Sequence, residues 1–210
     1  MANNLLVYGN AKLGALSNFP LPAFTTCSGR NEFCDRYCYG VKNWYRERRV
    51  VESASARYAR TLLPNFIPEM VSEIRKSGVK VVRIHTVGDF YNVSYIHKWA
   101  SIVSECDETA FYGYTRAWRS LELRELLEEL MCLAQNLHLR ASVDFTHEDR
   151  PIGWKLFSVV NGEGLRCPHD LGKVAFCRDC GLCWSVSSPK SIWTKLRWSC
   201  LRDNQSIRLL

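Results

Sequence analysis

The chain has 210 residues, 47% of them hydrophobic, with a formal net charge of +7 at pH 7. That is enough for one sizeable core and too apolar for wholesale disorder. No apolar run is long enough to cross a bilayer and no basic-then-apolar leader opens the chain, so the sequence predicts a cytoplasmic protein with no membrane partner.

In chain order, residues 1–26 read as loop-rich, with no strand assigned and Gly9, Gly14, Pro20 and Pro22 as breakers. A helix is predicted over Gly40–Leu62, carrying Arg46, Arg48, Arg49, Arg57 and Arg60, and Pro64 ends it. Pro68 then sits in the first turn of a second helix that closes near Gly78. A β-branched strand runs from Val79 to Val87, followed by Gly88-Asp89-Phe90. Next come a helix at Val93–Glu105, a strand at Ala110–Thr115, a helix from a Ser120 cap to Gln135, a strand at Leu137–Val143 and a strand at Trp154–Val160. The tail after Trp184 is basic and aromatic, with Lys190, Trp193, Lys195, Arg197 and Trp198, and carries no assignable element.

Strand alternating with helix across short turns predicts an α/β fold with a parallel sheet, whose ligands bind at the carboxyl ends of the strands. The polar residues there are His85, Thr86, Gly88 and Asp89, then Tyr114, Thr115 and Arg116, then Ser142 and Asp144. Capping of the following helices is the competing reading, strongest for Ser120 and Asp144.

Seven of the ten cysteines fall into two groups. Cys27, Cys34 and Cys38 are separated by six and three residues, and Cys167, Cys177, Cys180 and Cys183 end in a C-x-x-C-x-x-C run. In a reducing compartment such groups bind metal before they form disulfides. Three thiolates suit an iron–sulfur cluster with one iron open for chemistry; the alternative is a zinc knuckle with a remote fourth ligand, the nearest histidine being His85. Four thiolates suit either a ferredoxin-like cluster or zinc. Cys106, Cys132 and Cys200 have no partners in sequence, and Cys106 and Cys132 are expected to be small buried hydrophobes in helices.

The segment Cys34-D-R-Y-Cys38 resembles the cluster loop of radical S-adenosylmethionine (SAM) enzymes, although their usual spacing is C-x3-C-x-aromatic-C. Gly88-Asp89 sits where that superfamily carries its G-G-E segment. A wider pattern of G-N-A-K-L-G, C-Y-G, R-I-H-T-V-G-D-F-Y, Y-T-R-A-W, S-V-D and C-P…C-x-x-C-x-x-C-W, over residues 9–184, resembles the uncharacterised, largely phage-encoded gene product 88 family. The resemblance to radical SAM enzymes implies a reduced or partial parallel (β/α) barrel over residues 1–160 with a cysteine-rich metal-binding appendage over 161–210. It implies one or two [4Fe-4S] clusters, SAM on the open iron, and a reductant such as a flavodoxin or ferredoxin. Asp89 would take the SAM ammonium, Arg116 would share the catalytic role, and Gly88, Thr115, Ser142 and Asp144 would contact cofactor or substrate. If phage-encoded, the protein works in the host cytoplasm.

Two other functions fit the composition. A metal-braced protein could bind nucleic acid through the Arg46–Arg60 helix and the Trp-rich tail. An electron carrier would need both clusters fully ligated, against the three-cysteine group.

Overall fold

The computed structural model describes residues 4–144, 150–159, 162, 164–185 and 187–196. Its eight strands form one sheet in the order β1-β2-β3-β4-β5-β6-β8-β7. They are β1 (Val7–Asn10), β2 (Gly14–Phe19), β3 (Val81–Ile84), β4 (Ala110–Thr115), β5 (Leu137–Val143), β6 (Leu156–Val159), β7 (Leu165–Arg166) and β8 (Ser191–Thr194). Among the described residues only the β1–β2 hairpin is antiparallel. The expected parallel α/β sheet is present. Among the described residues β1 and β7 are not paired to each other, so these strands do not close a barrel.

The helices are α1 (Glu32–Tyr37), α2 (Arg48–Thr61), α3 (Phe66–Ser77), α4 (Val93–Glu105), α5 (Leu121–Leu133) and α6 (Cys177–Cys180). Three of them bury apolar stripes at helical spacing against one face of the sheet: Phe66, Met70 and Ile74 of α3; Tyr95, Trp99 and Ile102 of α4; Leu123, Leu127 and Leu130 of α5. Val82, Ile84, Phe111, Leu137, Leu139 and Ala141 meet them from the strands. Trp99, at 0% exposure, touches the rings of Phe19, Phe66, Tyr95 and Phe111; truncating it to alanine should cost about 3–5 kcal/mol. No helix among the described residues is long and apolar enough to cross a membrane.

Five expectations need correction. Residues 1–26 are not all loop: Asn10 Oδ1 accepts the N–H groups of Lys12 and Leu13 at 2.9 and 2.8 Å, turning the chain from β1 into β2, the first parallel strand. The predicted Gly40–Leu62 helix begins only at Arg48, because 39–41 and 43–46 form separate 3₁₀ turns held against the sheet by the Tyr39 hydroxyl on the Thr86 carbonyl. The Val79–Val87 strand is confined to β3, since His85 adopts a left-handed φ of 55°. Cys132 is exposed rather than buried. The cysteine-rich segment is not set apart, because β8 inserts between β6 and β7 and adds this segment to the same sheet. Ser120 does occupy the cap position of α5, though its hydroxyl makes no capping bond. Cys200, Arg197 and Trp198 lie outside the described residues.

Candidate metal centres and the strand-end site

Asn31 starts α1 by accepting the Cys34 N–H on its side chain at 3.1 Å, so a polar cap, not an apolar stripe, nucleates this single turn. The three-residue gap then places Cys34 and Cys38 one turn apart, with the Cys38 N–H on the Cys34 carbonyl at 3.0 Å. Phe33 and Tyr37 bury the helix and contact each other at 5.0 Å. Burial first, then the Asp89 carboxylate, then Cys38 and Cys34, push the Cys27 thiol up to about 12, against a lowering backbone hydrogen bond at Phe24. Cys27, Cys34 and Cys38 stand on one loop and the short helix that follows it. Packing them as thiolates is unfavourable unless a cationic centre sits among them.

This loop is fastened to the carboxyl ends of β3, β4 and β5. Ser28 Oγ donates to the Phe90 carbonyl at 2.7 Å. Gly29 lies so close to the Arg116 carbonyl that a Cβ there would overlap it. Arg116 Nη1 donates to Asp144 Oδ2 at 2.6 Å and to the Asn31 side-chain oxygen at 3.3 Å, while Asn31 Nδ2 reaches the same Asp144 oxygen at 3.2 Å. This ion pair is enclosed, with 11% of the Arg116 and 2% of the Asp144 side chain exposed. The guanidinium also stands 5.5 Å from the Phe33 ring.

Asp89 is buried beneath this loop. Its Oδ1 accepts from Thr115 Oγ1 at 2.6 Å and the Phe90 N–H at 2.8 Å, and its Oδ2 accepts from the Arg116 N–H at 2.7 Å. Burial pushes the carboxyl up to about 6, opposed by the Thr115 hydroxyl, the two backbone donors and the Arg116 charge. Gly88 precedes it with a φ of 80°, and its Cα faces Leu21 and Thr26 closely enough to exclude a side chain. Gly88, Asp89, Thr115, Arg116 and Asp144 are therefore gathered at one place. Ser142 sits beside them on β5 and gives its carbonyl to Trp118 Nε1 at 3.1 Å. Ser28, Asn31 and Tyr39 escaped the sequence reading; the signal for Asn31 was its place one residue before an acidic helical turn.

The opposite face of the sheet is concave and carries the second group. Tyr114 on β4 and Phe157 on β6 stack at 3.8 Å with 8° between their planes, reaching across β5. Residues 176–184 cover these rings. The Cys177 and Arg178 N–H groups bond the Lys12 and Leu13 carbonyls at 2.9 and 3.4 Å, and Trp184 lies 4.8 Å from Tyr112. Cys167, Cys177, Cys180 and Cys183 line one small cavity there, with Lys12, Tyr114 and Ile192. The Tyr114 hydroxyl lies 2.9 Å from Cys183 Sγ. Burial raises the Cys177 thiol to about 11, while Lys12 and Arg83 pull it down.

A family model described as "Gene product 88" matches residues 3–186. The chain belongs to the gene product 88 family. The Gene 88 protein of Mycobacterium phage D29 is 26% identical over 88% of this chain and 88% of its own length. The Gene 88 protein of Mycobacterium phage L5 is 27% identical over 83% of this chain and 85% of its own length. No solved structure matches.

The donor sets of this family member fit metal centres in kind: three thiols at one site, four at the other. Among the described residues no group of three or more His, Cys, Asp and Glu side chains is arranged to hold a metal ion as it stands. His85 does not complete the first set. Its Nε2 is 2.8 Å from the Tyr95 hydroxyl, its ring is packed among Phe19, Phe90 and Trp99, and burial lowers it to about 3. Of the arginines predicted to share one basic face, Arg57 is buried while Arg46, Arg48 and Arg49 are exposed. Arg57 Nε donates to the Leu5 carbonyl at 2.8 Å, Arg60 pairs with Glu69 and Arg48 with Glu52, and Arg49 lies 4.6 Å from the Trp44 ring.

Proposed function

We propose that this protein is an iron–sulfur protein of the radical SAM-like kind, with a three-cysteine [4Fe-4S] cluster on Cys27, Cys34 and Cys38 and a substrate that its fold does not name. The observation that supports this best is the seating of the three-cysteine loop on the carboxyl ends of strands that follow one another in order, where parallel α/β sheets hold their reactive sites.

When bound, the reduced cluster supplies the electron that cleaves the sulfonium of SAM. The protein's own groups do the positioning. Asn31 holds α1 in place, the Arg116–Asp144 pair anchors Asn31, and Asp89 fixes the Arg116 backbone. Because both Asp89 oxygens already accept protein donors, Asp89 is a positioning residue in this reading rather than an open acceptor for the SAM ammonium. Gly88, Thr115 and Ser142 border the edge where the cofactor would lie. A flavodoxin or ferredoxin of the host would deliver the electron. The alternative is a metal-braced nucleic-acid-binding protein without catalysis, using the arginines between residues 46 and 60.

The test is anaerobic reconstitution with iron and sulfide, followed by equilibrium dialysis against SAM and by reduction with dithionite. Bound SAM and slow release of 5′-deoxyadenosine are expected from the wild type, and neither from Cys34→Ala. An iron-replete wild type that binds no SAM removes the enzyme reading.

A further inference from the structure

Two cations stand on the concave face without a carboxylate. Arg140 on β5 is 1% exposed. Its Nη1 donates to the Leu156 carbonyl at 3.1 Å, and its Nη2 to the Pro189 carbonyl at 2.9 Å and to Ser188 Oγ, all neutral acceptors. Its Nε is enclosed with no hydrogen-bond partner. Arg83 on β3 is partly buried as a residue, but its Nε is likewise enclosed and unpartnered, and its guanidinium lies 4.8 Å from the Tyr114 ring. Among the described residues neither arginine has an ion pair. A guanidinium cannot shed its proton to escape this, so each is a fixed positive charge where charge is costly.

Arg140 reaches the four-cysteine loop through Ser188, which donates to the carbonyl of Leu182, the residue before Cys183. Arg83 reaches it through Tyr114, whose ring lies beneath its guanidinium. Tyr114, directly opposite Arg140 in the sheet, completes the shell by meeting Cys183 Sγ. As thiols these cysteines carry no charge and leave the arginines uncompensated. As four thiolates around a dication, or around a [4Fe-4S] core of the same charge, they carry a net charge of about −2, which two arginines balance.

We propose that Arg83 and Arg140 are the buried counter-ions of a tetrathiolate metal centre on Cys167, Cys177, Cys180 and Cys183. The inference rests on that site holding a metal and is independent of whether SAM binds at the other. It follows that removing either arginine destabilises the filled protein more than the empty one, since only the filled one carries the charge it balances.

The experiment uses the full chain carrying Cys34→Ala, so that the four-cysteine site is the one read. Co²⁺ is titrated in against a competing chelator, with the thiolate-to-cobalt absorption as signal. Arg140→Met and Arg83→Met should each weaken Co²⁺ binding roughly 10- to 100-fold, the range for residues behind a metal's ligands, and Arg140→Lys should bind more tightly than Arg140→Met. The melting-point loss of each Met variant against its parent should be larger in the loaded form than in the metal-free form. Unchanged cobalt affinity in both Met variants overturns the counter-ion role while leaving the metal site standing. A parent that shows no thiolate-to-cobalt band, or one that survives Cys180→Ala, overturns the metal site itself.

Discussion

Lys12 Nζ and Asp170 Oδ1 meet at 3.7 Å although their segments leave opposite edges of the sheet. Seven steps from β1 to β7 across a flat sheet amount to about 34 Å, and the four residues from Arg166 to Asp170 span at most ~14 Å. The sheet must therefore curl, and the curl is closed by an ion pair and two backbone bonds rather than by strand pairing. Asp170 also accepts the Lys195 N–H at 3.0 Å and the Thr194 hydroxyl. Asp170→Ala should therefore cost about 1–3 kcal/mol, as it strands two donors, and Lys12→Ala under about 1 kcal/mol, as it removes one long ion pair. Urea unfolding of the two variants checks the order; equal costs would mean that the ion pair itself closes the curl.

Asp89→Asn tests the strand-end staple. The carboxylate accepts three hydrogen bonds on two oxygens, whereas an amide turns one of those oxygens into a donor facing a backbone N–H or the Thr115 hydroxyl. The expected loss is about 2–4 kcal/mol, with at least one buried donor left unsatisfied. A melting point within a degree or so of wild type would show that Asp89 does not brace β3 to β4, and would return it to the role of an open cofactor acceptor.

His85 gives a pH dependence of definite sign. Burial holds its folded-state pKa at about 3, below the ordinary 6.5. As pH falls below about 6.5 the unfolded chain takes up the proton and the folded protein does not, so stability drops by up to ~1.4 kcal/mol per pH unit until about pH 3. Asp89 acts oppositely, because its raised carboxyl takes a proton in the folded state first, adding stability as pH falls through about 6 toward the unfolded value. The two contributions oppose each other between about pH 6 and pH 4. His85→Gln, which keeps a polar partner for the Tyr95 hydroxyl, should instead gain stability over that window. Parallel pH profiles of the two proteins would exclude His85 as a buried neutral group.

Much of the frame was legible because its signals were local. The apolar stripes of α3, α4 and α5 and the β-branched or aromatic runs of β4 and β5 gave boundaries within a few residues of those observed. The misses have tertiary causes. Residues 7–19 lack a strong alternating pattern, and β2 becomes a sheet strand because Asn18 bonds both the Val7 carbonyl and the Thr86 hydroxyl. The cysteine-rich segment looked separable because nothing in a sequence says that β8 will insert beside β6. At the site, residue types at strand ends located Gly88, Asp89, Thr115, Arg116 and Asp144 but not their pairings, since a carboxylate that staples two strands and one that awaits a ligand look alike in one dimension. Arg83 and Arg140 were passed over as ordinary members of strands, where a charge between Val82 and Ile84, or between Leu139 and Ala141, was the available sign of a lined inner face.

Gly29 separates the first cysteine group from the second most cleanly. It approaches the Arg116 carbonyl so closely that any Cβ must displace either the loop or the end of β4. The carbonyl belongs to the backbone that Asp89 holds through the Arg116 N–H, so the loop is the part that yields. Gly29→Ala should lift Cys27 away from Cys34 and Cys38, at a cost of about 1–3 kcal/mol in stability. The four-cysteine site, tied instead to the β1–β2 turn through Lys12 and Leu13, should stay intact. If the first site holds the proposed cluster, Gly29→Ala and Cys34→Ala should each bind less iron than wild type after anaerobic reconstitution and match in total iron, with Gly29→Ala keeping every thiol titratable after denaturation. Full iron content in Gly29→Ala would mean that the loop binds its metal without being seated on β4, and the strand-end placement of the cluster would no longer hold.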